Sequence, residues 1–234
     1  MIQQKLGLFV FDHMPHRMRE AITERLDERF LSRINNRLNK MPKPALEQHH
    51  LEHATPLTDR MALLERLPMG GRVAELGVNE GDFSQAVLKL NKPTELILID
   101  YWGSERYGDA QMRRVNERFK AQISSGAVRI ERGLSTEVAA ALEDDSLDWA
   151  YIDTDHSYPT TRDELRIISR KIKTGGMIAG HDYVGGNWRT AYPYGVMNAV
   201  FEFCVQEDWE IVYLTMELAG FTGNPSFAIR KRSG

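Results

Sequence analysis

The chain predicts a doubly wound α/β fold, a largely parallel sheet with helices on both faces. Three features carry this expectation. From Arg72 onward, strand-like segments at 72–76, 95–100, 127–131, 147–152, 176–180, 209–214 and 226–231 alternate with helical patterns, the order that builds parallel strands with crossover helices. The segments are apolar runs, as expected of strands covered on both sides. Four of them end in a glycine turn or an acidic residue: Val73-Ala74-Glu75-Leu76-Gly77-Val78-Asn79-Glu80-Gly81, Ile97-Leu98-Ile99-Asp100, Tyr151-Ile152-Asp153-Thr154-Asp155-His156, and Gly175-Gly176-Met177-Ile178-Ala179-Gly180-His181-Asp182. Parallel strands deliver chemistry to their carboxyl ends, so one edge of the sheet should hold the site.

Taken in order, the elements begin with an apolar stretch, Leu6 to Phe11, too short to span a membrane and without a small-residue cleavage site. A cytoplasmic protein is expected. Residues 14 to 40 carry apolar side chains at Met14, Met18, Ile22, Leu26, Phe30, Ile34 and Leu38, which predicts a helix. A strict four-residue interval makes the stripe spiral, so the helix wraps across several partners or breaks at Asn35-Asn36. Met41-Pro42-Lys43-Pro44 ends it. Residues 1–58 read as a helical appendage, a lid or a subunit contact that would make a homo-oligomer, and residues 59–234 as the α/β domain. His49, His50 and His53 read as solvated histidines of a polar connector.

Helices are predicted at Phe83, Ala86, Val87, Leu90, then at Met112, Val115, Phe119, Ile123, then at Leu165, Ile168, Ile172, the last opened by Pro159 and closed by Gly175-Gly176. The final two strands, joined by a loop, should form an antiparallel pair at one edge. Cys204 sits at helical spacing with Val196, Val200 and Phe203 and reads as core, with no disulfide and a reducing compartment. With 42% apolar residues and a formal charge of −3, the chain has an ordinary core and no electrostatic pull toward nucleic acid.

The first two strand ends suit an adenosine-containing cofactor. Gly77 and Gly81 let backbone approach a ligand, but Asn79 stands where the dinucleotide fingerprint has its middle glycine. Glu75, Glu80 and Asp82 surround the turn, repelling a pyrophosphate and tolerating a sulfonium cation. Asp100 is placed to accept ribose hydroxyls, which fits nicotinamide dinucleotide and S-adenosylmethionine alike; the acidic turn favours the latter. Tyr101 and Trp102 are candidates to cover an adenine.

The last two strand ends suit chemistry. Asp153, His181 and Asp182, on adjacent tips, can converge on a divalent metal and leave positions for substrate oxygens. His156 is the natural general base. The plainer alternative has Asp155 and His156 capping the next helix or pairing with each other. Tyr183 to Tyr194, with Trp188 and Arg189, has the composition of a substrate loop.

Together these stretches resemble the class I S-adenosylmethionine-dependent methyltransferases, in particular the methyltransferase domain family 24 branch related to catechol and macrocin O-methyltransferases, over residues 59 to 234. The resemblance implies a Rossmann-like, seven-stranded methyltransferase sheet. It places Glu75, Gly77 and Gly81 at the methionine part of the cofactor, Asp100 at the ribose, and Gly133-Leu134-Ser135 against adenine; Asn79, Tyr101 and Asp153 join the cofactor-binding set. It implies Asp153, His181 and Asp182 as metal ligands with Asp153 and His156 catalytic. His181 departs from the family's acidic residue, which leaves magnesium, manganese, iron, nickel and zinc open, or Asp155 in its place. The implied activity is metal-assisted O-methylation of a small molecule such as a sugar, phenol or secondary metabolite, with no nucleic acid or membrane partner. A nicotinamide-dependent oxidoreductase, a metal-dependent hydrolase or hydroxylase, and a non-catalytic scaffold are the competing readings.

Overall fold

The computed structural model describes residues 15–187, 190, 192–218 and 223–232. One sheet of eight strands organises them: β1 (Thr55–Leu57), β2 (Arg72–Leu76), β3 (Glu95–Asp100), β4 (Val128–Arg132), β5 (Leu147–Ile152), β6 (Ile172–Gly180), β9 (Trp209–Thr215) and β10 (Phe227–Lys231). Their order across the sheet is β1-β9-β10-β6-β5-β2-β3-β4. β2 runs parallel to β3 and β5, β3 to β4, and β5 to β6. A small hairpin, β7 (Gly186–Asn187) with β8 (Tyr192–Pro193), stands apart from it.

The helices follow from capping and periodicity. α1 is His16–Leu38, α2 Arg60–Leu64, α3 Asp82–Leu90, α4 Asp109–Arg118, α5 Lys120–Ser124, α6 Ser135–Ala140, α7 Tyr158–Lys171 and α8 Val196–Glu207. Ser157 caps α7 through the Thr160 N–H, and Pro159 in the first turn costs no hydrogen bond. Apolar strands with period two feed two cores. Ala74, Leu76, Ile97, Ile99, Ala150 and Ile152 face α7 and α8, whereas Val73, Leu96, Leu98, Trp149 and Tyr151 face α2, α3 and α4. Cys204 is buried and unpaired in the first core. Among the described residues no helix is long and apolar enough to cross a membrane.

The structure departs from expectation in four places, and of the two outcomes open for the first helix it shows no break. β9 and β10 are antiparallel as expected, but β10 lies inside the sheet, between β6 and β9, and β1 covers the far side of β9. Phe227, Ala228 and Ile229 are buried on both faces, and a strand apolar on both faces belongs in the interior. α7 ends at Lys171: Ile172 is extended (ψ 128°) and opens β6, so Gly175 and Gly176 lie within that strand. The helix expected from Met112 to Ile123 is interrupted at Phe119. α1 continues unbroken through Asn35-Asn36; Met14 and the side chains of Ile22, Leu26 and Phe30, like the stretch from Leu6 to Phe11, lie outside the described residues. His50 is buried, its Nδ1 accepting the Glu47 N–H at 3.0 Å, and His53 pairs with the buried Glu210 at 2.7 Å. Two of the three connector histidines are therefore structural.

Candidate functional site

The carboxyl ends of β2, β3, β5 and β6 meet at one edge. Gly77 makes that meeting possible. Its φ is +90°, and a Cβ there would stand 1.8 Å from the Asp153 carbonyl oxygen, so only glycine lets the β2 turn lie against the β5 tip. The Asp153 N–H in turn donates to the Leu76 carbonyl at 2.7 Å. Gly81, at φ +78°, starts α3 against the Phe119 ring.

Asp100 staples the turn from below. One carboxylate oxygen accepts the N–H groups of Val78 and Asn79, both at 2.9 Å, and the other accepts that of Trp102 at 3.0 Å. Trp102 is 1% exposed, with its indole N–H on the Asn79 carbonyl. It packs beneath the turn and does not cover an adenine; Tyr101, 53% exposed, faces outward. Glu80 and Asp82 are paired with Arg114 at 2.5 Å and Arg118 at 2.6 Å, so the negative charge expected around the turn is largely neutralised by α4. What remains is Glu75. It is buried, its Oε2 has no partner, and burial, reinforced by the charges of Asp153 and Asp100, pushes its carboxyl up to about 8.

Ser135 opens α6, and its hydroxyl donates to Glu164, a buried residue of α7 that also accepts the Thr154 hydroxyl at 3.0 Å. Burial raises Glu164 to about 7 against the pull of those two hydrogen bonds. Glu164 thus ties the loop after β4 to the tip of β5. A glutamate inside the apolar stripe Thr161, Leu165, Ile168 was the signal for it in the sequence.

At the tips of β5 and β6, the structure brings Asp153, His181 and Asp182 together, with one ligand atom from each all within 4.8 Å of one another. His181 Nδ1 lies 3.6 Å from Asp153 and 3.5 Å from Asp182. His156 reaches the same Asp182 oxygen at 2.9 Å, and its ring lies against Tyr194, centroids 4.7 Å apart. Asn224 donates to the other oxygen of Asp182, a contact with no local signal in the sequence. Burial works against a charged His181, but the hydrogen bonds and charges of the two aspartates outweigh it and lift the imidazole to about 9. The same balance raises His156 and, with burial opposing, holds Asp182 well below the ordinary carboxylate range. An imidazolium between two carboxylates occupies the electrostatic position of a cation.

Asp155 does not join this group. Its carboxylate accepts the Ser157 N–H at 2.9 Å and the hydroxyls of Ser157 and Thr160 at 3.1 and 3.0 Å. It caps α7, and it is not a substitute for His181. Trp188 and Arg189 of the expected substrate loop lie outside the described residues.

Residues 74–183 match a protein family described as a methyltransferase domain. Among solved structures, a proposed O-methyltransferase from Klebsiella pneumoniae is 16% identical over 87% of this chain and 90% of its own, with a TM-score of 0.57. A proposed rRNA methylase from Clostridium thermocellum is 13% identical over 74% of this chain and 94% of its own, with a TM-score of 0.56. Spermidine synthase from Thermotoga maritima is 11% identical over 79% of this chain and 60% of its own, with a TM-score of 0.51. At these identities the likeness is one of fold. Among curated proteins no sequence matches the chain.

Proposed function

We propose that this chain, whose residues 74–183 match a methyltransferase domain, transfers a methyl group from S-adenosylmethionine to a hydroxyl of a small molecule with the assistance of a divalent cation. The observation that carries the reading is the convergence of Asp153, His181, Asp182 and His156 within one cluster, directly across Gly77 from the glycine turn.

The donor set fits a cation. Metal–ligand bonds of about 2.1 Å put two ligand atoms roughly 3–4.3 Å apart, and only a small closure of the present spacing reaches that. Two carboxylates balance a divalent charge, and the imidazole favours manganese, iron, nickel or zinc over magnesium. A bound cation would polarise the acceptor hydroxyl and hold it in line with the methyl group. The chain's own part is orientation and proton handling. Asp182, accepting from Nδ1 of His156, leaves Nε2 free to take the hydroxyl proton, and Tyr194 fixes the plane of that ring. Glu75, Asn79, Asp100, Tyr101 and Ser135 are the residues we assign to the cofactor, and the unpartnered buried oxygen of Glu75 fits its cationic amino group.

A small acceptor is favoured over RNA because three arginines near the edge are committed: Arg114 to Glu80, Arg118 to Asp82 and Arg132 to Asp109. Polyanion binding needs free basic groups. A metal-free variant of the mechanism, with Asp182 and His156 acting as a dyad, is supported by their 2.9 Å contact. Calorimetry with manganese decides between the two. Wild type should bind one equivalent and Asp153→Ala should lose at least tenfold in affinity; turnover unaffected by chelator would refute the metal role and leave the dyad. Methyl transfer to RNA but to none of a panel of phenols and sugars would refute the small acceptor.

A further inference from the structure

β4 is the last strand on its side of the sheet, and among the described residues no strand pairs with its outer side. Which groups face outward follows from the bonds on the inner side. The Leu96 N–H donates to the Ala127 carbonyl at 2.9 Å and the Gly133 N–H to the Asp100 carbonyl at 3.0 Å. Backbone groups alternate sides along a strand, so Arg129 and Glu131 turn theirs toward β3, and Val128, Ile130 and Arg132 turn theirs outward. On the α6 side a groove of about 530 Å³, lined by Arg129, Glu131, Glu137 and Leu142 among others, leaves the strand uncovered.

Side chains alternate as well. Val128 and Ile130 pack into the second core, while Arg129 and Glu131 share the other face, 3.4 Å apart and 40% and 41% exposed. Arg129 is poorly served within its own chain: Glu95 and Glu131 lie at 3.5 and 3.4 Å, and its buried Nε makes no hydrogen bond. Charges on an edge strand ordinarily deter pairing with another chain. Here their order makes one exception. In an antiparallel pair centred on Ile130, a second copy sets its Glu131 directly opposite Arg129 and its Arg129 opposite Glu131, while Ile130 faces Ile130 and Val128 faces Arg132. The outward N–H and C=O groups of Val128, Ile130 and Arg132 then all find partners. Sliding the strands by two residues in either direction brings Arg129 against Arg129 or Glu131 against Glu131, and like charges directly opposite repel.

We infer that β4 is a self-complementary interface: two copies of this chain pair antiparallel through Val128–Arg132, extending the sheet across a two-fold axis. The contact lies at the opposite end of the sheet from β1, and it needs neither cofactor nor metal.

Sedimentation velocity of the full chain from about 1 to 100 µM reads the assembly, and wild type should be dimeric at the upper end. Glu131→Arg and Arg129→Glu each turn both cross-strand pairs into like charges, and each should raise the dimer Kd at least about thirtyfold. Mixed together, the two variants restore both opposite-charge pairs and should dimerise as wild type does; the double swap Arg129→Glu/Glu131→Arg should do so alone. A folding defect is not cured by mixing, so recovery separates the interface from a structural role. Wild type monomeric throughout, single variants as dimeric as wild type, or no recovery on mixing would overturn the interface. Hydrogen exchange on wild type needs no variant: the amides of Val128, Ile130 and Arg132 should exchange slowly at about 100 µM and rapidly at about 1 µM. Rapid exchange at both concentrations would show that the edge faces solvent in any assembly the chain forms, and would overturn the pairing as well.

Discussion

Glu75 should make the cofactor-free protein less stable as pH rises, and the size of the effect follows from its burial. Its carboxyl is pushed up to about 8 from an ordinary 4.5, by desolvation first and by Asp153 and Asp100 next. Between those two pH values the unfolded chain has released this proton and the folded chain keeps it, so raising the pH favours unfolding. The slope is about 1.4 kcal/mol per pH unit midway between them, which amounts to roughly 3 kcal/mol at pH 7 and about 4 kcal/mol at pH 8, where the folded group is half titrated. Glu75→Gln removes the titration and leaves a neutral group of the same shape.

The assay is urea unfolding of both proteins without cofactor at pH 5, 6, 7 and 8. Other titrating groups cancel in the difference, so the advantage of the variant should grow by about 1.4 kcal/mol per pH unit. A constant offset is expected as well, because the amide brings a donor that must find a partner. Cofactor binding reverses the balance: an ammonium group beside Glu75 draws its proton off, so S-adenosylhomocysteine affinity of the wild type should rise by up to about tenfold per pH unit below pH 8. In Glu75→Gln that dependence should vanish. A stability difference independent of pH would refute the reasoning, since it would mean that Glu75 is charged or hydrated in the free protein.

Two further outcomes test the scaffold. Gly77→Ala places a Cβ against the Asp153 carbonyl at a φ of +90° and should cost about 2–4 kcal/mol of stability, read as a lower urea midpoint; a change below about 0.5 kcal/mol would show that the β2 and β5 tips are not in contact. Glu164→Ala frees Ser135 from Thr154 and should weaken S-adenosylhomocysteine about tenfold, whereas Glu164→Gln, which still spans both hydroxyls, should bind nearly as well as wild type; equal losses in the two would show that charge, and not the bridge, matters.

Much of the fold was legible because its signals are local. Strands apolar on both faces, helices with a 3.6-residue stripe, and the residues just past each parallel strand can be read without knowing the partner. Asp153, His181, Asp182 and His156 were named on strand order alone. What was not legible depends on partners distant in sequence. Glu80 and Asp82 look like free charges until Arg114 and Arg118, on the next helix, fold back over them. Trp102 follows a strand as an exposed aromatic would, but it packs into the second core with its indole N–H on the Asn79 carbonyl, partners that lie far from it in sequence. Ile172 fits the helical stripe before it and the strand after it equally well, because one β-branched apolar residue suits both. That β10 lies inside the sheet follows from its burial on both faces, which the loop connection before it did not reveal.

Backbone strain at this edge indicates how the site is held. Among the described residues, seven other than glycine have positive φ, and four of them, Asn79, Trp102, His156 and Asp182, lie two to four residues past the ends of β2, β3, β5 and β6. Each left-handed residue costs of order 1–2 kcal/mol, so the cluster persists only because neighbours over-determine it. Asp100 gathers the amides of Val78, Asn79 and Trp102, the Gly195 N–H holds the His156 carbonyl at 2.9 Å, and Asn224 holds the Asp182 side chain. A left-handed residue within four positions of each strand end turns the chain early, keeping the side chains at the sheet edge where a longer loop would carry them into solvent. Folding therefore supplies the positional order of the site before any ligand arrives, and the buried Oε2 of Glu75 is left without a partner there. A pre-set edge with a buried carboxyl oxygen left open beside the glycine turn is the arrangement expected of a site that spends its stability on a cationic ligand.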